Sequence, residues 1–213
     1  LNRGDFVRIF KERKMLYKIA RLKYHFVVCY HNEYTIELSK QFRENHIPFV
    51  VVAPDNNLSQ IAEKYKYPHF VQEEPHTEVA LLKAGLSSAK GLITLSVSLA
   101  DNIAQIATTR LFEKELGLKR PYFIMSQANN INDINKLKKL GADSVVSATK
   151  LMAQRISAMS VRPDMENMLE NILYRRDIPI DMEEIEIPET SWLRYKKIRE
   201  AHIREMTNVS IVG

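Results

Sequence analysis

Between Cys29 and Ile36 the chain carries Tyr30-His31-Asn32-Glu33-Tyr34-Thr35, a run of aromatic and hydrogen-bonding side chains at a place where position matters. His25-Phe26-Val27-Val28-Cys29 before it reads as a buried strand, and Ile36 to Glu44 after it as a helix. A dinucleotide fold carries G-x-G-x-x-G at that junction: one glycine for the tight turn, one for approach of backbone to a pyrophosphate, one for close packing of helix on strand. All three are replaced here. Tyr30 and Tyr34 could stack on a base, Asn32 and Glu33 could exchange hydrogen bonds with a ligand, and His31 could touch one. The competing roles are plainer: filling a cleft for the tyrosines, and an exposed loop position for His31.

A second marker of dinucleotide binding is an acidic residue at the end of the second strand, which holds the ribose hydroxyls. That position is Ala53, with Asp55 two residues later, beyond Pro54. The segment around Glu73 and Glu74 follows the third strand, and Leu95 to Asn102, with Ser96, follows the fourth, so both are expected at the same crevice. The paired acids could join a cation site, although acids before a helix more often face its N-terminal dipole. The histidines, at 25, 31, 46, 69, 76 and 202, form no H-x-x-x-H pair, and no G-x-S-x-G elbow is present. Neither a zinc site nor a serine or cysteine nucleophile is indicated, so no catalytic residue and no metal ligand is expected. The single cysteine, Cys29, lies in the first strand, excludes an internal disulfide and reads as a small core residue in a reducing compartment.

The elements that must position these residues alternate. Strands are expected at His25–Cys29, Phe49–Val52, Phe70–Val71, Gly91–Leu95, Tyr122–Met125 and Ser144–Val146. Helices are expected at Ile36–Asn45, Leu58–Tyr65, Thr77–Ala84, Leu99–Leu116 and Ile131–Leu140, with Gly85, Gly117 and Gly141 placed to cap three of them. Continuous β-branched runs imply strands buried on both faces. The fold class is therefore α/β, a doubly wound, Rossmann-like parallel sheet.

From Ala148 the character changes. Lys150–Met159 and Asp164–Tyr174 read as a helix pair broken at Ser160-Val161-Arg162-Pro163. Met152, Met159, Met165 and Met168 cluster there, a stripe that is usually core but also suits interfaces that repack. Beyond Asp177 an alternating strand at Glu183–Pro188, a helix near Tyr195–Ile203 and a strand at Val209–Val212 suggest a small, partial α+β unit.

The net charge of +5 over 213 residues is concentrated. Residues 1–24 hold eight lysines and arginines against Asp5 and Glu12, so the remaining chain is slightly acidic. One basic helical segment, rather than a basic domain, fits a connector beside a membrane surface better than nucleic acid. No apolar run approaches the roughly 18 residues that span a bilayer. The chain begins at Leu1, which suggests a piece of something longer, and Met15 could start a free form.

Several segments together resemble the RCK domain, the regulator of potassium conductance: His25–Cys29, Ile47-Pro48-Phe49-Val50-Val51-Val52, Glu78–Gly85, and above all Leu137-Lys138-Lys139-Leu140-Gly141-Ala142-Asp143 followed by Val145-Val146-Ser147. Glu186 to Leu193 is similar to the start of that family's C-terminal subdomain. The resemblance implies a gating-ring lobe at the cytoplasmic face of a bacterial inner membrane, paired with identical lobes and attached to a tetrameric potassium pore. It divides the chain into a linker helix at 1–24, a lobe at 25–147, a helix-turn-helix crossover for dimerisation at 148–176 and a partial C-terminal subdomain at 177–213. Leu99–Leu116 would pack between lobes. A soluble gating subunit of a potassium transporter is the alternative, and an NAD-dependent oxidoreductase a weaker one.

The departures from that family are specific. Nucleotide-binding members keep the glycine turn and the acid after the second strand, and of the Gly-Asp after the third strand only the acid is kept, as Glu73. A calcium-gated branch has carboxylates where this chain has Leu95, Gln127 and Asn129, while Asn102 matches. Both the NAD and the calcium sites are therefore expected to be degenerate, with the cofactor unassigned. The candidate ligand positions are Tyr30, His31, Asn32, Asp55, Glu73, Ser96 and Asn102.

Overall fold

A computed structural model of the chain describes residues 12–117, 121–161 and 187–207. Residues 12–19 are helical (α1). Strands and helices then alternate: β1 Phe26–Cys29, α2 Glu33–Glu44, β2 Phe49–Ala53, α3 Leu58–Tyr65, β3 Phe70–Gln72, α4 Glu78–Lys83, β4 Gly91–Thr94, α5 Leu99–Glu115, β5 Phe123–Ala128, α6 Ile131–Lys139, β6 Ser144–Ser147 and α7 Ala148–Val161. The six strands form one parallel sheet in the order β3-β2-β1-β4-β5-β6. The order reverses between β1 and β4, and the doubly wound expectation is met.

The central strands explain the burial. Every residue of β2 and β4 is buried, as continuous apolar runs between two helical layers require. Val28, Phe49, Val51, Ala62 and Tyr67 form the core on the α2/α3 face. On the other face Val27, Cys29, Val50 and Leu92 pack with Leu81 of α4, Ile106 of α5, Leu137 of α6 and Ile19 of α1. Cys29 is a fully buried core residue, and burial pushes its thiol far above the usual range.

Two glycines are required by their surroundings. Gly91 lets β4 approach β5 so closely that a Cβ there would stand 2.3 Å from the Phe123 carbonyl oxygen. Gly85 closes α4 in the left-handed region at φ +67°. Gly117 and Gly141 also have positive φ, as their capping positions demand.

Three expectations are corrected. α2 begins at Glu33, not Ile36, because Asn32 caps it, which turns half of the supposed loop into helix. β5 runs on to Ala128, which places Gln127 in the strand. The helix expected over Tyr195–Ile203 is instead a set of turns with Tyr195 at φ +73°, a single 3-10 turn at Ile198–Glu200 and a short α8 at Ile203–Thr207. Ile198 and Met206 are exposed there and, among the described side chains, only Ala201 is buried, so no apolar stripe holds a longer helix.

The chain divides into two compact units, residues 1–157 and 158–213. α7 begins directly after β6 and buries none of its side chains; Leu151, Met152, Ile156 and Met159 are all exposed. Within the described chain, Met152 and Met159 are thus not core. The second crossover helix at Asp164–Tyr174, most of the strand at Glu183–Pro188 and the strand at Val209–Val212 lie outside the described residues; Ile187 and Pro188 are not in a strand.

Candidate functional site

Parallel α/β sheets bind ligands outside the carboxyl ends of their strands where the strand order reverses, here between β1 and β4. Tyr30 leaves β1 at φ +72°, the left-handed conformation that the first glycine of a phosphate turn would otherwise supply. Its amide donates to the Val52 carbonyl at 2.8 Å, which fixes the turn. The ring enters the core on the α4/α5 face. Its hydroxyl is buried without a hydrogen-bond partner, and burial together with the Asp101 and Glu74 carboxylates pushes the phenol well above its ordinary range.

Asn32 does two things at once. Its Oδ1 accepts from the Thr35 amide at 3.1 Å and caps α2. Its Nδ2 donates to the Leu95 carbonyl at 2.5 Å, bridging the β1–α2 and β4–α5 loops. Thr35 closes the turn from below by donating its hydroxyl to the Tyr30 carbonyl at 2.6 Å.

A second knot of amides lies between β4 and β5. Asn102 is buried; its Oδ1 accepts from Thr94 Oγ1 at 2.7 Å and the Ser96 amide at 3.2 Å, and its Nδ2 donates to the carbonyls of Ser96 and Gln127. Gln127 Nε2 donates to the Ser96 carbonyl at 2.8 Å and to Asn129 Oδ1 at 3.1 Å, and Asn129 Nδ2 donates to the Val97 carbonyl. Ser96 donates its hydroxyl to Asp101 at 2.7 Å. Amides can make these bonds to carbonyls directly; carboxylates at 127 and 129 would need a cation between. Among the described residues no group of three or more His, Cys, Asp or Glu side chains could hold a metal ion.

The remaining positions point elsewhere. His31 is not an exposed loop residue: Nδ1 lies 2.9 Å from the Tyr67 hydroxyl, and the ring packs against Tyr65 and Tyr67 on the α2/α3 side. Burial holds it below the usual histidine range, with Asp55 opposing, and the Tyr67 phenol is pushed up to about 12. Glu73 bonds Lys83 at 2.6 Å, and Lys83 also reaches Glu12 of α1 at 3.5 Å. Beside that trio a groove of about 590 Å³ runs between α1 and the β3 edge, lined by Lys14, Leu16, Ser59, Phe70 and Gln72 among others.

Of the seven sequence-derived positions, then, Asn32, Ser96 and Asn102 are laced across the crevice and Tyr30 is sunk beside them. His31 and Asp55 lie together on the α2/α3 side, and Glu73 serves the α1 contact. Gln127, Asn129 and Lys83 belong to these networks without having been named as sites. The first two were visible as amides at the end of β5, whereas nothing local marked Lys83.

Residues 26–148 match the profile of the TrkA-N domain. This chain belongs to the TrkA-N domain family. Over 99% of its length the TrkA-N chain is 31% identical to Probable potassium channel protein 2 of Methanocaldococcus jannaschii, and likewise over 99% it is 26% identical to Potassium channel protein 1 of the same organism. It spans 61% of the length of each. Among solved structures it is similar to the TrkA-N domain of the inner membrane protein YbaL from Escherichia coli, with a TM-score of 0.58 at 16% identity over 65% of this chain and 98% of that one. It is also similar to the GsuK channel bound to NAD, with a TM-score of 0.55 at 18% identity over 65% of this chain and 24% of that one. The likeness of this chain to both structures is one of fold. Among its described residues, no helix is long and apolar enough to cross a membrane.

Proposed function

We propose that this TrkA-N domain is the regulatory lobe of a potassium channel and that residues 1–24 connect it to the pore. The observation that carries the proposal is the end-to-end match, over 99% of this chain, to a protein named as a probable potassium channel. The packing of α1 supports it: Ile19 is fully buried in the lobe core, and Lys83 ties Glu12 of α1 to Glu73 after β3, so a shift of the lobe would be felt by the helix.

On this reading the crevice works without NAD. The pyrophosphate of a dinucleotide would sit at the start of α2, where Asn32 already occupies the Thr35 amide and bridges to Leu95. The exposed apolar side chains of α7 suit a second copy of the chain, as pairing of identical lobes requires. A ligand acts on such an assembly only through differential affinity for its open and closed states.

The test has two arms. Coding sequence upstream of Leu1 should contain two hydrophobic spans flanking a selectivity filter, and the full-length protein in vesicles should pass potassium; flux that is absent from a folded, reconstituted protein overturns the channel role. Thermal shift of the lobe with NAD(H) should be flat, since a ligand at ~100 times its Kd would add ~2.7 kcal/mol.

A further inference from the structure

His25 precedes β1 on the face that carries Val27 and Cys29, and it is fully buried. Its Nε2 donates to the Ala84 carbonyl at 2.8 Å, which leaves a bare lone pair on Nδ1. Nδ1 is buried and has no hydrogen-bond partner. Ile19 of α1 closes the site from above: at Gly85, a Cβ would stand 3.5 Å from both His25 Cε1 and Ile19 Cγ2. Ile19 and His25 are thus neighbours at the end of α4, both closed to solvent.

A second imidazole faces the same place. His69 stands just before β3 on the side of Val71, and its Nδ1 is also buried and unpartnered. Lys18 of α1 and His25 both lie within electrostatic range of it and oppose a charge there. Around the pair, α1 contributes Lys18, the end of α4 the Ala84 carbonyl and β2 the backbone of Phe49; the two backbone groups favour a charged ring, against burial at both histidines and against Lys18 at His69. Among the described residues no carboxylate acts on either ring. Burial holds both histidines below the usual range.

We propose that His25, His69 and Lys18 form an acid-sensitive latch beneath α1. With both imidazoles neutral the helix stays docked through Ile19; a proton on Nδ1 of His25 has no acceptor, and a charge on His69 faces Lys18, so acid favours release of the helix. The latch is a property of α1 and the lobe, and its test reads this chain alone. Its consequence for a pore rests on the channel role proposed for the chain.

Hydrogen–deuterium exchange, corrected for the intrinsic pH dependence, tests it. Between about pH 7.5 and about pH 5.5, residues 12–24 should lose about tenfold in protection, clearly more than α6 loses. The double variant His25→Gln/His69→Gln should lose that dependence. Lys18→Glu, on an exposed side chain, replaces a repelling charge with an attracting one and should move the release to lower pH. Unchanged protection of residues 12–24, an equal loss in α6, or release by Lys18→Glu at the same or higher pH would overturn the latch. Because Lys18→Glu leaves the core untouched, it decides the question even if the double variant does not fold.

Discussion

The side-chain amide of Asn32 donates to the main-chain carbonyl of Leu95 at 2.5 Å while its oxygen caps α2, so one residue joins the loops on either side of the sheet's switch point. At the switch point, where parallel α/β sheets bind ligands, this chain makes a contact between its own loops. The crevice is held by its own side chains.

Asn32→Ala should therefore cost more than an ordinary cap. Loss of the cap accounts for about 1 kcal/mol and the unpaired Leu95 carbonyl for about 1 more. Asn32→Ser keeps the cap but cannot span to Leu95, and should recover roughly half of the loss. Urea denaturation of the two variants beside the parent chain separates the contributions; equal midpoints for alanine and serine would show that the bridge contributes nothing.

Tyr30 combines a left-handed backbone with a buried, unpartnered hydroxyl. Tyr30→Phe removes the unpaired group and keeps the ring, so stability should be unchanged or rise by up to about 1 kcal/mol. Tyr30→Gly relieves about 1–2 kcal/mol of backbone strain but empties a site whose aromatic is worth about 3–5 kcal/mol, and should be destabilising overall. Thermal melts of both variants check the signs.

Gly91→Ala places a methyl 2.3 Å from the Phe123 carbonyl oxygen. Neither atom lies at the flexible end of a side chain, because β4 and β5 are paired along Gly91–Thr94. The expected loss is about 3 kcal/mol or more, read as a sharply lowered melting temperature or as insoluble protein.

Acid should destabilise the lobe in a defined window. His25, His31 and His69 are all held below the ordinary value of 6.5 by burial. A histidine depressed in the folded state is protonated first in the unfolded chain, so its stabilisation is complete above the unfolded pKa and is lost as pH falls through about 6.5 toward the folded values. Urea midpoints measured from about pH 8 to about pH 5 should be level at the alkaline end and decline below about 6.5. A midpoint that rises on acidification would contradict the burial of these rings.

The strands and most helices of the lobe were legible because burial between two helical layers imposes a continuous β-branched pattern, and because capping positions demand particular residues. Leu58–Tyr65 coincides with α3 to the residue. The start of α2 is not legible in the sequence, because Asn32 could equally be a ligand contact or a cap; only its distance to Thr35 separates the two. The C-terminal helix is shorter than its pattern suggests for a different reason: a run of helix formers needs a partner surface, and periodicity does not reveal whether one exists.

The same division holds for the site. Replacement of the glycines, of the acid after β2 and of the carboxylates near β5 could be read residue by residue, since each is a question of side-chain chemistry at one position. What those replacements do instead is a matter of pairs distant in the chain: Asn32 with Leu95, Gln127 with Ser96, Lys83 with Glu12, His25 with Ile19 and Ala84. Residue type limits what a group can donate, accept or fill. Only the fold brings the partner within the ~3 Å at which a hydrogen bond exists, and that distance decided which of these groups face a crevice and which hold the lobe together.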